Sequence, residues 1–108
     1  EAEGIFDQEL EGKLYAEGSR DTPCIIEVTA KADLTNYKIT LNGEPYTIES
    51  LMDGETIVIN GKTGKITKEG DNAFGSVDLW AFPKLKTGRN DLAFSTNGAR
   101  VTVRYSPL

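Results

Sequence analysis

Four acidic side chains stand where a pair of them could act as acid and base on a glycosidic bond: Asp53, Glu55, Asp71 and Asp78. Such hydrolysis needs two carboxyl groups at a fixed separation across the sugar bond. Each of the four lies beside a glycine or an asparagine, or at the end of a predicted strand, where acidic residues usually cap turns and keep sheet edges soluble. The sequence also contains no histidine, which is the usual general base. We therefore predict that the chain is not an enzyme.

Two glycine-containing segments have the composition of ligand-binding loops without the features such loops require. MDGET (52–56) offers oxygen ligands for calcium but lacks the alternating ligand positions and the distal glutamate of a calcium loop. GKTGK (61–65) has the glycines and lysines of a phosphate-binding loop but no helix after it. We predict a turn at each place, and no metal or other cofactor.

The segment AFPKLKTGRNDLAF (81–94) follows the single tryptophan and suggests recognition instead of catalysis. An aromatic ring can stack on a sugar, and three cations lie close together in the segment. A large aromatic residue in a small domain is more often buried, so we predict that Trp80 lies in the core. The candidate contacts for a glycan or a partner protein are Trp80, Lys84, Lys86 and Arg89.

Length and charge restrict the class of protein. A chain of 108 residues can form one core without disulfides, and Cys24 has no second cysteine to pair with. The formal net charge of −5 disfavours nucleic acid as a partner. No apolar stretch approaches the roughly 18 residues of a membrane span. Because the sequence begins EAEG, without an initiator methionine or a signal-peptide pattern, we expect a longer protein upstream.

Short alternating apolar runs, bounded by Gly, Asn, Asp and Pro, recur along the chain and are typical of antiparallel strands. We predict an all-β fold, a sandwich or a barrel. In CIIEVTA (24–30), alternation directs every second side chain to the core, namely Cys24, Ile26, Val28 and Ala30.

A first hairpin is predicted over residues 37–48, where Asn42-Gly43 favours a two-residue type I′ turn. Counting outward from this turn pairs Leu41 with Glu44. The same count places four large residues on one face: Tyr37, Ile39, Tyr46 and Ile48.

A last hairpin is predicted over LAFSTNGARVTVRY (92–105), with its turn at residues 97–98. This register pairs Phe94 with Val101 and sets Asp91 opposite Arg104 as an exposed ion pair. Between the two hairpins we predict strands around a turn at either 60–61 or 62–64, then short strands at 71–74 and 77–82.

The end of the sequence resembles the C-terminal signature of siphovirus-type phage tail proteins of the distal tail family. In FPKLKTGRNDLAF and ARVTVRYSPL the matching positions are Phe82, Pro83, Leu85, Gly88, Asn90, Tyr105 and Pro107. YAEGSRDTPCIIEV resembles the first strand of that family, with Gly18, Thr22, Pro23 and Ile26 in place. ETIVINGKTGKITKEGDN resembles its central hairpin, although Asn60 stands where the family often has aspartate. The resemblance extends from about Leu14 onward.

The resemblance implies a galectin-like jelly-roll sandwich over residues 14–108, preceded by a lead-in or interdomain linker at residues 1–13. It implies a non-enzymatic outer domain of a baseplate hub in the virion tail, assembled in the cytoplasm of a bacterial host. Full-length relatives form homo-hexameric rings that contact other tail proteins, while the isolated domain is expected to be a monomer.

The resemblance also suggests that residues 82–90 form a structural corner. Pro83 fixes φ and would stop a strand that ends at Phe82. Gly88 supplies a backbone conformation that other residues resist, and Asn90 can hydrogen-bond locally. The loop cations are then the solvated rim of this corner.

Two further functions share the same fold and stay open: a carbohydrate-binding domain that recognises a cell-surface glycan, and an extracellular adhesin module. An exposed Trp80 among polar side chains favours the carbohydrate-binding domain, and a buried Trp80 favours the structural module.

Overall fold

The structure, a computed structural model, describes residues 2–18 and 21–106, which are mostly strands and turns. In chain order the first strands are β1 (Ala2–Asp7), β2 (Glu11–Ala16), β3 (Thr22–Ala30), β4 (Leu34–Leu41), β5 (Glu44–Leu51) and β6 (Thr56–Asn60). They are followed by β7 (Lys65–Lys68), β8 (Asp71–Asn72), a 3-10 turn (Phe74–Ser76), β9 (Val77–Leu79), β10 (Lys84–Leu85), β11 (Gly88–Phe94) and β12 (Ala99–Tyr105). None of the helices in these described ranges is long and apolar enough to cross a membrane.

The strands form two antiparallel sheets that pack face to face. One sheet has the order β1-β12-β3-β6-β7-β8, with β10 paired to the start of β3, and the other has the order β2-β11-β4-β5-β9. Every second residue of β3 is buried, including Cys24 and Ile26, as the alternation predicts. Each large aliphatic side chain removed from water contributes roughly 1.5 to 3 kcal/mol. The predicted all-β sandwich is confirmed.

Burial also changes the chemistry of titratable groups in the core. It raises the pKa of the Cys24 thiol to about 12, so this side chain behaves as a small apolar group at neutral pH. Burial likewise raises the pKa of Tyr37 to about 12, and its hydroxyl lacks a hydrogen-bond partner among the described residues.

The β4–β5 hairpin has the register that its turn predicts. Asn42 and Gly43 have φ of 50° and 88°, as a type I′ turn requires. Leu41 pairs with Glu44 and Tyr37 with Ile48, so the prediction is confirmed.

The predicted last hairpin is wrong. β11 pairs with β2 and β4 in one sheet, whereas β12 pairs with β1 and β3 in the other. Gly98 lacks the positive φ that a two-residue turn needs, and residues 95–98 carry the chain across the sandwich. Phe94 and Val101 are both buried because strands in opposite sheets face the same core. Alternation identifies the inward face but not the sheet.

The ion pairs follow the observed sheets. Arg104 contacts Glu27 of the neighbouring β3, with Nη2 and Oε2 separated by 2.5 Å. Asp91 contacts Arg89 of its own strand, with Nε and Oδ1 separated by 3.1 Å. The predicted pair of Asp91 with Arg104 is therefore wrong.

The central region differs from its predicted boundaries. The β6–β7 ladder closes with Asn60 opposite Lys65, so the loop spans residues 61–64. This loop is longer than either predicted turn, 60–61 or 62–64. Gly64 has φ of 71°, which is the left-handed glycine of the second alternative. A 3-10 turn begins at Phe74, and β9 ends at Leu79 instead of residue 82.

The first residues of the chain contribute to the sandwich. β1 is an edge strand whose six residues pair with β12, and Phe6 packs on Phe94 with ring centroids 5.8 Å apart. Gly12 lies under this ring, since a Cβ there would be 2.3 Å from Phe6 Cδ1. Strand pairing gives no boundary at residue 13.

We expect a double-mutant cycle between Glu27→Ala and Arg104→Ala to give a coupling energy of about 0.5 to 1 kcal/mol in urea unfolding. The pair lies on neighbouring strands and is about one third exposed. The matched cycle between Asp91→Ala and Arg104→Ala should give a value near zero. A measurable coupling in that second cycle would contradict the placement of β11 and β12 in different sheets.

Candidate functional site

Residues 80–87 form a corner at which the chain leaves one sheet and returns to it. β9 belongs to the five-stranded sheet, β10 pairs with β3 of the seven-stranded sheet, and β11 lies again in the first. The carbonyl oxygen of Pro83 accepts the backbone N–H of Cys24 at 3.1 Å. Pro83 and Leu85 are buried, so this corner is tied to the core.

A glycine of the neighbouring β6–β7 loop is needed for this contact. A Cβ on Gly61 would lie 2.3 Å from the carbonyl oxygen of Pro83 and 2.5 Å from that of Cys24. The N–H of Gly61 donates to the Cys24 carbonyl at 2.8 Å. The sequence pattern indicates Gly61 only as part of a turn, because its close approach is to Pro83 and Cys24, which are more than 20 positions away in sequence.

Asn90 is the third residue of β11, and its side chain hydrogen-bonds to the corner at Lys86. It is 0 % exposed. Its Nδ2 lies 3.0 Å from the carbonyl oxygen of Lys86 and 3.2 Å from those of Gly88 and Leu14. Its Oδ1 accepts the N–H of Lys86 at 3.0 Å and Nδ2 of Asn42 at 2.9 Å. One side-chain amide therefore satisfies backbone groups of the corner and joins it to β2 and the β4–β5 turn.

Gly88 begins β11 with φ of 88°, in the left-handed region that side-chain-bearing residues rarely adopt. Space is open around it, with no neighbouring atom within 4 Å of a built Cβ. Backbone conformation alone, and not crowding, therefore favours glycine here.

Trp80 does not lie in the core, and that prediction is wrong: the side chain is 90 % exposed. Val77 and Leu79 point inward along β9, so alternation directs the next residue outward. The strand then ends, and the chain bends away toward β10. The large ring therefore lies on the surface, although its size favours burial.

A groove with a volume of about 390 Å³ opens beside Trp80. Its polar and aromatic lining includes Asp21, Asn42, Glu44, Trp80, Lys84 and Lys86. Tyr46 also lines it, and burial, followed by the proximity of Cys24 and Glu44, raises the pKa of this tyrosine to about 12. The groove thus combines an exposed ring with hydrogen-bonding groups and charges of both signs.

The structure brings three of the four predicted contacts together: Trp80, Lys84 and Lys86. Arg89 is not part of the groove lining and is paired with Asp91. Asp21, Asn42 and Glu44 were missed by sequence reasoning, since they come from distant segments that the fold brings to the groove.

The four acidic candidates are distributed over the surface. Glu55 and Asp71 border one depression of about 290 Å³, while Asp53 and Asp78 are absent from its lining. Glu55 is engaged by Lys68 at 3.4 Å and accepts the N–H of Met52 at 2.8 Å. No cluster of three metal-ligating side chains occurs in the part of the chain that the structure describes.

The last matching positions of the resemblance flank the end of β12. Tyr105 is buried, and its hydroxyl donates to the carbonyl oxygen of Tyr15 at 3.2 Å. Pro107 lies outside the described residues.

Comparisons with known proteins give one family and one fold. A family model described as siphovirus-type tail component, C-terminal domain, matches residues 17–108. Among solved structures, the crystal structure of SPP1 Dit superposes with a TM-score of 0.76 at 12% sequence identity. That protein is described as a paradigm of the hub adsorption apparatus in phages that infect Gram-positive bacteria.

The superposition covers 97% of this chain and 45% of the SPP1 Dit chain, so this chain spans less than half of that protein. At this identity the likeness shows the fold alone. A search of curated proteins found no match.

We expect Gly88→Ala to lower the free energy of unfolding by about 1 to 2 kcal/mol, because the left-handed conformation is unfavourable for a residue with a Cβ. Gly75→Ala is the matched control, since Gly75 also has open space around it but no positive φ. Urea unfolding of both variants measures the difference. Equal stability of the two variants would show that the corner does not require glycine.

Proposed function

The chain belongs to the siphovirus-type tail component family, C-terminal domain, and on this premise we propose that it is a non-enzymatic structural module of a phage or prophage tail. The observation that carries the proposal is the family match over residues 17–108. The β-sandwich, which superposes on SPP1 Dit, supports it.

The finer role that we propose is the outer domain of a distal tail protein in the baseplate hub, where it positions the parts that adsorb to the host. The complete protein forms a homo-hexameric ring in contact with other tail proteins, and the isolated domain is a monomer. Residues 1–13, which join the sandwich through β1, lead into the domain at 14–108 from the preceding part of the protein. Assembly takes place in the cytoplasm of the bacterial host.

The contacts of the corner support a structural role. A buried amide at Asn90 and the close approach at Gly61 fix the corner to both sheets. A corner fixed in this way presents its surface to a neighbour with little loss of conformational entropy on binding.

Labelling of virions tests the role in the tail. Gold-labelled antibodies raised against residues 1–108 should bind tailed particles at the end of the tail distal to the capsid. Antibody that has first been absorbed with the purified chain is the control. Label along the tail tube or on the capsid would overturn the hub assignment.

A second candidate, a carbohydrate-binding module for host cell-surface glycan, is favoured by one observation. Trp80 is 90 % exposed beside a groove with carboxylate, amide and ammonium groups. An exposed ring can cover the apolar face of a sugar, while such polar groups bind its hydroxyls.

This candidate predicts that a saccharide from a panel of cell-wall and exopolysaccharide fragments changes the fluorescence of Trp80, the only tryptophan of the chain. We expect Trp80→Ala to weaken binding of that saccharide about tenfold in calorimetry, because stacking is lost. Tyr15→Ala is the matched control, since Tyr15 is 66 % exposed and does not line the groove. No response across the panel would exclude this candidate while leaving the structural role intact.

A further inference from the structure

The groove beside Trp80 is bordered by two segments that belong to different sheets. One wall is the β4–β5 turn, which supplies Asn42 and Glu44. The other wall is the segment with Lys84 and Lys86, which begins at β10 and pairs with β3 of the opposite sheet. The width of the groove therefore depends on what joins these two walls.

Asn90 holds the second wall through backbone groups of a single residue. Its Oδ1 accepts the N–H of Lys86 and its Nδ2 donates to the carbonyl oxygen of Lys86, both at 3.0 Å. This pairing imitates one rung of a strand ladder, with a side-chain amide in place of a peptide group. Asn90 is fully buried, so water does not compete for these bonds.

Asn42 joins the first wall to Asn90 Oδ1, the atom that also accepts the N–H of Lys86. Its Nδ2 donates to Asn90 Oδ1 at 2.9 Å, so one oxygen accepts hydrogen bonds from both walls. The other end of the Asn42 amide accepts the backbone N–H of Asp91 at 2.9 Å, which fixes the orientation of the side chain. Asparagine is needed for both bonds, since aspartate cannot donate and glycine has no side chain.

We propose that Asn42 and Asn90 are positioning residues that hold the two walls of the groove at a fixed separation, so that the groove is formed before anything binds. The use of the groove rests on the proposed function, where Trp80 borders a glycan site. The hydrogen bonds that join both walls to Asn90 are independent of that proposed use. A preformed groove binds more tightly because less conformational entropy is lost on binding.

Asn42 also has an ordinary role, since asparagine tolerates the positive φ of a type I′ turn. A test must therefore alter the cross-wall bond and leave the turn conformation favourable. Asn42→Asp meets this condition: aspartate also tolerates the left-handed region and retains an acceptor for Asp91 N–H, but it cannot donate to Asn90.

Asn36→Asp is the matched control. Asn36 is an exposed residue of the same strand pair with φ of 51°, and its side chain makes no hydrogen bond within the described residues. The two variants share the substitution and the added negative charge. Only one of them loses the bond to Asn90.

Paramagnetic relaxation in NMR measures the separation of the walls without a ligand. A nitroxide placed by Glu44→Cys labels the first wall, and the buried Cys24 stays unlabelled in the folded protein. We expect Asn42→Asp to change the relaxation enhancement at the amides of Lys84 and Lys86 by about twofold, through a less fixed separation of the walls. Asn36→Asp should leave it at the wild-type value.

The free energy of unfolding of each variant is measured in parallel, so that loss of stability is distinguished from movement of the walls. Unchanged enhancement at both amides in Asn42→Asp would overturn the proposal, even if that variant is less stable. A changed enhancement together with a silent saccharide panel would support the positioning role and exclude the glycan candidate. The relaxation measurement therefore tests the positioning role of Asn42 and Asn90, and the saccharide panel tests the glycan candidate independently.

Discussion

The structure depends on the burial of one apolar face from each of two sheets. No disulfide contributes, since Cys24 is the only cysteine, and the described core is built from inward-facing residues of both sheets. A sandwich of this kind requires the chain to cross repeatedly between layers. At each crossing, backbone groups leave the strand ladders and must find other partners. The corner at residues 80–87 meets this requirement with the amide of Asn90 and the strand pairing of β10.

The motif that resembles the tail family coincides with this corner and with the start of β11. Pro83 supplies a carbonyl oxygen to Cys24, Gly88 adopts a left-handed backbone conformation, and Asn90 closes the turn from inside. Leu85 anchors the middle of the segment in the core. The spacing of these residues therefore corresponds to a crossing between sheets.

Local turn chemistry explains which predictions succeeded. The β4–β5 register follows from two adjacent residues, Asn42 and Gly43, whose positive φ values define the hairpin. The inward face of β3 follows from simple alternation. In contrast, an Asn-Gly pair also occurs at residues 97–98, where the chain crosses between sheets. The dipeptide permits a tight turn but does not enforce it, and the choice of partner strand is a tertiary property.

The candidate site was predictable only in part, for the same reason. Trp80, Lys84 and Lys86 are close in sequence and remain close in the groove. Asn42 and Glu44 reach it from a hairpin about 40 positions earlier, and no local pattern indicates that approach. The exposure of Trp80 depends on where β9 ends, and strand boundaries are the least certain feature of a sequence pattern.

The edge strand β1 has a consequence for contacts between copies of this domain. Its outer rim is not paired within the described residues, and an unpaired strand edge can nucleate fibrils. A symmetric antiparallel pairing of two such strands centred on Ile5 would set Glu3 of each copy against Asp7 of the other. Both contacts join like charges, so edge-to-edge pairing of two copies in this register is unfavourable.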